Sequence, residues 1–121
     1  MPVTEQGTNV GNIVVVGSRV LPLDKEGYLE NLADWSEDVA TELARESGIE
    51  LTPAHWEIID MIRRFHQRRG ISPVMRILVK LTEKEFGPDK GNSLYLLKLF
   101  PDSPAKLASR IAGLPRPANC L

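Results

Sequence analysis

The sequence predicts a mainly α-helical domain: a small orthogonal bundle of about five helices, with an N-terminal β-hairpin and a flexible C-terminal arm. Three observations carry this. A hydroxyl residue followed by proline occurs at Thr52-Pro53, Ser72-Pro73 and Ser103-Pro104, each time ahead of apolar residues at helical spacing. Two runs rich in β-branched residues flank Gly17-Ser18, a pair that tolerates positive φ in a tight turn. The tail from Leu114 onward holds Pro115 and Pro117 with one residue between them, which forbids helix and favours an extended chain.

Taken in order, residues 1–12 are polar and read as a loose terminus. Residues 13–113 read as a single domain. Residues 12–23 form the hairpin, and Pro22 demotes the second strand to an edge. Residues 24–27 make a turn. A first helix is expected from an N-cap at Asp34 through Glu46, with Trp35, Val39 and Leu43 on its apolar face and Gly48 as its stop. Pro53 opens a second helix carrying Trp56, Ile59, Ile62 and Phe65, ending before Gly70. Pro73 opens a third, with Val74, Ile77, Leu78 and Leu81, ending before Gly87. Short helices over residues 93–100 and 104–112 follow, stopped by Pro101 and Gly113. Residues 114–121 form the arm.

A chain of 121 residues with 42% apolar and 26% charged side chains has enough apolar surface for one core without disulfide staples. The longest apolar runs are far short of a membrane span, and the first residues lack the cationic and apolar segments of a secretory signal. With one cysteine, no intrachain disulfide and no all-cysteine metal site can form. These features together suggest a cytoplasmic setting and a monomer. The net charge of −1 conceals an asymmetry: residues 1–60 carry 12 acids and three bases, residues 61–121 four acids and 12 bases. Such halves are expected to attract each other within the domain; the alternative is a basic surface for an acidic partner.

The residue that draws attention is Cys120, the only thiol, one step from the end of the sequence on the proline-braced arm. A thiol there is reactive by access. Its ordinary pKa of about 8.5 leaves only a small thiolate fraction at neutral pH. Arg116, Arg110 and Lys106 are bases able to raise that fraction. Ala118 and Asn119 are small enough to follow the thiol into a partner's pocket, and Gly113 is the expected hinge. His55 and His66 stand too far apart along one helix for a shared metal, and solvated or capping roles suit them. No nucleotide-binding glycine motif occurs, and no metal or organic cofactor is implied. The second and third helices, joined through Gly70, make a helix-turn-helix candidate with Arg68, Arg69 and Lys80 among its bases, so a nucleic-acid-binding regulator is a competing reading.

These residues assemble into a family pattern. Asp24-x-x-Gly27-Tyr28-Leu29, Trp35, Leu51-Thr52-x-x-His55-Trp56 and Pro73-x-x-Arg76-x-Leu78-x-Lys80 are its first parts. Lys90-Gly91-x-Ser93-x-Tyr95-Leu96, Phe100-Pro101-x-x-Pro104-x-Lys106 and Ile111-Ala112-Gly113-Leu114-Pro115-x-Pro117-x-x-Cys120 complete it. Over residues 13–121 the chain resembles the DsrC/TusE family of sulfur carriers. The resemblance implies that Cys120 accepts sulfane sulfur as a persulfide and relays it. It also implies a donor like the TusBCD complex and an acceptor like the tRNA thiolase MnmA, with or without its tRNA. The DsrC branch of dissimilatory sulfur metabolism carries a second cysteine eleven residues earlier, where this sequence has Ser109. The single-cysteine pattern therefore resembles the TusE branch, in tRNA 2-thiouridine synthesis, with a DsrC-like protein of dissimilatory sulfur metabolism as the alternative.

Overall fold

A computed structural model describes residues 12–118. Two antiparallel strands, β1 (Asn12–Val16) and β2 (Arg19–Leu23), pair in the register Val16 opposite Arg19 to Asn12 opposite Leu23. Gly17 takes φ +62° in the two-residue turn between them. Alternation sends Val14, Leu21 and Leu23 into the core and leaves Ile13, Val15 and Val20 exposed. Five helices follow: α1 (Glu37–Glu46), α2 (Pro53–Arg69), α3 (Met75–Phe86), α4 (Ser93–Leu99) and α5 (Pro104–Ile111). The expected class, five helices behind a hairpin, is the observed one. Helix α5 packs against α1, α2, α3 and α4, and β1 lies against α1. Ile58, Ile59, Ile62, Leu78, Leu96, Phe100 and Ile111 form the centre of the core.

Two helix starts differ from expectation, for local reasons. Helix α1 begins at Glu37, where the Ser36 hydroxyl accepts from the Val39 amide, rather than after Asp34. Asn31 caps a short 3-10 turn over Leu32–Asp34, which takes Asp34 out of the helix. Trp35 then lies in extended backbone, and its side chain is free to cross to α5 instead of lining α1. Helix α3 begins at Met75, not Pro73. The Ser72 hydroxyl, expected as a cap, donates to the Pro115 carbonyl at 2.5 Å.

The start of α2 follows the expected hydroxyl–proline rule with an added bond. His55, in the first turn, accepts the Thr52 amide on Nδ1 at 3.0 Å. Its Nε2 bonds the Leu99 carbonyl at 2.8 Å. A carbonyl can only accept, so the ring proton sits on Nε2 and the ring is neutral. His55 thereby ties the start of α2 to the end of α4, with Phe100 edge-on at 5.2 Å between ring centres. This is the capping role that its spacing suggested.

Candidate functional site

The segment leading to Cys120 leaves the end of α5, and that end is fully bonded. Gly113 takes φ +72°, a conformation that L residues other than glycine rarely adopt. Its amide donates to the Arg110 carbonyl and the Leu114 amide donates to the Ser109 carbonyl, the paired bonds of a Schellman cap. Two further carbonyls would remain unpaired. Trp35 Nε1 donates to the Ile111 carbonyl at 2.9 Å, and Arg63 donates to the Ala112 carbonyl at 2.7 Å. The Arg63 guanidinium also stacks 3.8 Å from the Trp35 ring centre. Burial there pushes the guanidinium pKa down from its ordinary value, with Asp60 opposing in part. The charge survives because it lies at the negative end of a helix and over an aromatic face. On the other side, Trp35 lies so close to Gly113 that an added Cβ would fall 2.2 Å from Cδ1.

The first residues of the expected arm lie docked along the core. Leu114 is buried, the Pro115 carbonyl accepts from Ser72, and Arg116 pairs with Glu26 at 2.9 Å. Pro117 is fully buried. Of the expected site residues, Gly113, Pro115, Arg116 and Pro117 therefore line one continuous track from α5. Gly113 sits as a cap under Trp35, and Arg116 faces a carboxylate. Cys120 lies outside the described residues. It follows Pro117 by three residues, so its Cα is tethered within roughly 11 Å of that buried proline.

Ser109 lies in α5, fully buried, and its hydroxyl has no hydrogen-bond partner among the described residues. A buried hydroxyl left unbonded is costly, whereas a thiol in the same place would act as a small apolar group. Among the described residues no three His, Asp or Glu side chains gather as a metal site.

Sequence reasoning missed three supports of this track. Trp35 is expected on α1 and Ser72 at the start of α3, and Arg63 is not singled out at all. The usable signal for Trp35 was Asn31, whose Asx turn competes with a helix start at Asp34. The reach of Ser72 to Pro115 and of Arg63 to Ala112 has no local signature, because each joins positions remote in sequence.

The arrangement defines a class: a small helical scaffold that anchors a proline-braced segment ending in a lone thiol. The family model described as "DsrC like protein" matches residues 15–121, and the chain belongs to this DsrC-like family. It is 48% identical over 103 residues to "Sulfurtransferase TusE" of Yersinia pseudotuberculosis, covering 85% of this chain and 95% of that protein. The "Sulfurtransferase TusE homolog" of Haemophilus influenzae is 52% identical over 98 residues, covering 81% of this chain and 90% of that protein. Among solved structures, Allochromatium vinosum DsrC superposes with a TM-score of 0.83 at 43% identity, over 92% of this chain and 99% of that one. The oxidised γ-subunit of the dissimilatory sulfite reductase (DsrC) of Archaeoglobus fulgidus gives 0.79 at 44% identity, over 91% of this chain and all of that one.

Proposed function

We propose that this protein is a sulfur carrier: Cys120 takes sulfane sulfur from a donor protein as a persulfide and passes it on. The observation that carries this reading is the only thiol of the chain, placed three residues beyond a buried, proline-braced track in a family whose relatives are named sulfurtransferases. The chemistry is thiol–disulfide exchange. The Cys120 thiolate attacks the outer sulfur of a donor Cys–S–SH. A new S–S bond forms on Cys120, the donor's S–S bond breaks, and the donor cysteine leaves as thiolate. The outer sulfur keeps its proton, and no external oxidant or reductant is consumed. Transfer to the acceptor repeats the step in the other direction.

The donor is a TusBCD-like complex and the acceptor an MnmA-like tRNA thiolase, which places the chain in tRNA 2-thiouridine synthesis. Ser109 favours this branch over dissimilatory sulfur metabolism. A hydroxyl there cannot close a disulfide to Cys120, so chemistry that uses two sulfurs is closed to this chain. Pro115 and Pro117 limit the entropy lost when the segment enters a partner's pocket. Releasing the track would break the Ser72–Pro115 and Arg116–Glu26 contacts and leave Gly113 capped under Trp35.

The test is intact-mass measurement after incubation with a persulfide donor. Wild type should gain one sulfur atom. Cys120→Ser should gain none while keeping its thermal midpoint. Loading of Cys120→Ser, or none on wild type with a competent donor complex, overturns the proposal.

A further inference from the structure

The His55 cap accounts for only part of the motif Leu51-Thr52-x-x-His55-Trp56. Leu51 and Trp56 line a groove of about 600 Å³ on the acidic half of the chain. Thr41 and Arg45 of α1 contribute to it, with Ile49, Glu50 and Leu51 from the connection and Trp56 from the first turn of α2. The Ile49 amide donates to the Ala44 carbonyl at 2.8 Å, which turns the connection back onto α1. Ile49, Leu51 and Trp56 pack against the core and stay partly exposed, so the groove floor is apolar. A tryptophan placed this way is the type of side chain that dominates the energetics of protein interfaces.

The rim is acidic. From Glu37 to Asp60 the chain carries seven acids and one base, Arg45, and Arg45 is paired with Glu42. Glu50 lies in the lining, Asp38 one turn before Thr41 and Asp60 one turn after Trp56. All three are exposed, and none has a cation within salt-bridge distance among the described residues. An apolar floor inside unpaired carboxylates selects a cationic segment that carries an apolar side chain, and it repels a nucleic acid or an anionic surface. Trp56, Asp60 and Arg63 follow at i, i+4 and i+7 on one face of α2, and Arg63 holds the last carbonyl before Gly113. Seven residues of helix rise about 10 Å, so a protein seated over Trp56 sits beside the start of the track. We infer that this groove docks a basic, apolar-tipped segment of a partner protein, and that this partner is the sulfur acceptor. An acceptor that handles tRNA must present cations to that polyanion, and the acidic rim is complementary to such a surface. The choice of the acceptor rests on the carrier reading; the docking face does not.

The test is isothermal titration calorimetry of the full chain against an MnmA-like tRNA thiolase and, separately, against a TusBCD-like donor complex, at physiological salt. Wild type should bind the thiolase. Glu50→Lys/Asp60→Lys should weaken that binding about ten-fold while keeping its thermal midpoint and its affinity for the donor complex. Trp56→Leu, which keeps apolar contact with the core, should weaken thiolase binding as well. Glu30→Lys/Asp89→Lys makes the same change in net charge outside the groove lining and should bind the thiolase as wild type does. No binding by wild type, unchanged affinity in either groove variant, an equal loss in the control variant, or a loss toward the donor complex would each overturn the inference. Self-association of wild type that the groove variants abolish, seen by sedimentation, would overturn it too and give the groove to a second copy. Loading of Cys120 from a small-molecule persulfide should be equal in all four proteins. Wild type that docks yet does not load would strike the carrier reading and leave the docking face standing.

Discussion

Three residues behave in ways their types alone do not suggest. Gly113 combines positive φ with a close approach by Trp35. Gly113→Ala should therefore cost about 2–4 kcal/mol from backbone strain and overpacking together, measured by urea denaturation. A loss under about 1 kcal/mol would mean that Trp35 swings away easily. His55→Ala should cost a similar 2–4 kcal/mol, because it strips the Thr52 amide and the Leu99 carbonyl of their shared partner and leaves a cavity beside Phe100. Ser109→Ala runs the other way. Its hydroxyl is buried and unbonded among the described residues, so removing it should leave stability unchanged or raise it by up to about 1 kcal/mol. A clear destabilisation would reveal a bond that the hydroxyl makes. Gly113 was legible as a helix stop, because a glycine after the last apolar position is a local signal. Its crowding by Trp35 was not, because the approach joins positions far apart in sequence.

The element on which the proposed function relies most is the track from Leu114 to Pro117. The Ser72 hydroxyl bonds it to the body of the domain at the Pro115 carbonyl. Ser72→Ala should cost about 1–2 kcal/mol. It should also speed hydrogen exchange at the Leu114 amide more than at amides in the middle of α2, because the track opens locally before the core does. Equal acceleration at both places would show that track and core open as one unit. Helix existence was readable from apolar spacing and from the three hydroxyl–proline pairs. Those pairs acted differently: Thr52-Pro53 opens a helix, Ser103 precedes one without a side-chain bond, and Ser72 is diverted to the track. A hydroxyl can bond a local amide or a distant carbonyl with similar energy, and tertiary packing decides between them. Cys120 is legible from the sequence alone, as the only thiol on a proline-braced segment, and the family pattern then gives it a role.

Across the whole molecule, the opposed charges of the two halves meet at few points. Among the described residues, Lys90–Glu57 and Arg116–Glu26 join the acidic half to the basic half. Arg19–Asp34, the Arg45–Glu42 pair and Arg64–Glu85 each lie within one half. The attraction expected from composition is thus a loose one, and most charges stay solvated. Arg116 and Glu26 are each about half exposed, so Arg116→Ala should change stability by less than about 1 kcal/mol. The Glu57 bond, opposed in part by desolvation, raises the Lys90 pKa above its ordinary 10.5. A raised lysine contributes stability below its unfolded pKa and loses it as pH rises through the folded one. Glu57→Gln should lower the thermal midpoint slightly at neutral pH, and the difference should vanish well above pH 10.5. A difference that persists there would trace to packing instead of charge.

If the proposed carrier step peels the track back, the indole packed over Gly113 is where the peeling stops. With Pro117 held, the sulfur can probe only a shallow opening in another protein. With the track peeled back to Gly113, the same sulfur can enter about 25 Å. How far inside a partner the reacting atom lies therefore decides whether that partner must first unfasten Ser72 from Pro115. Shallow and deep partners should consequently respond differently to Ser72→Ala.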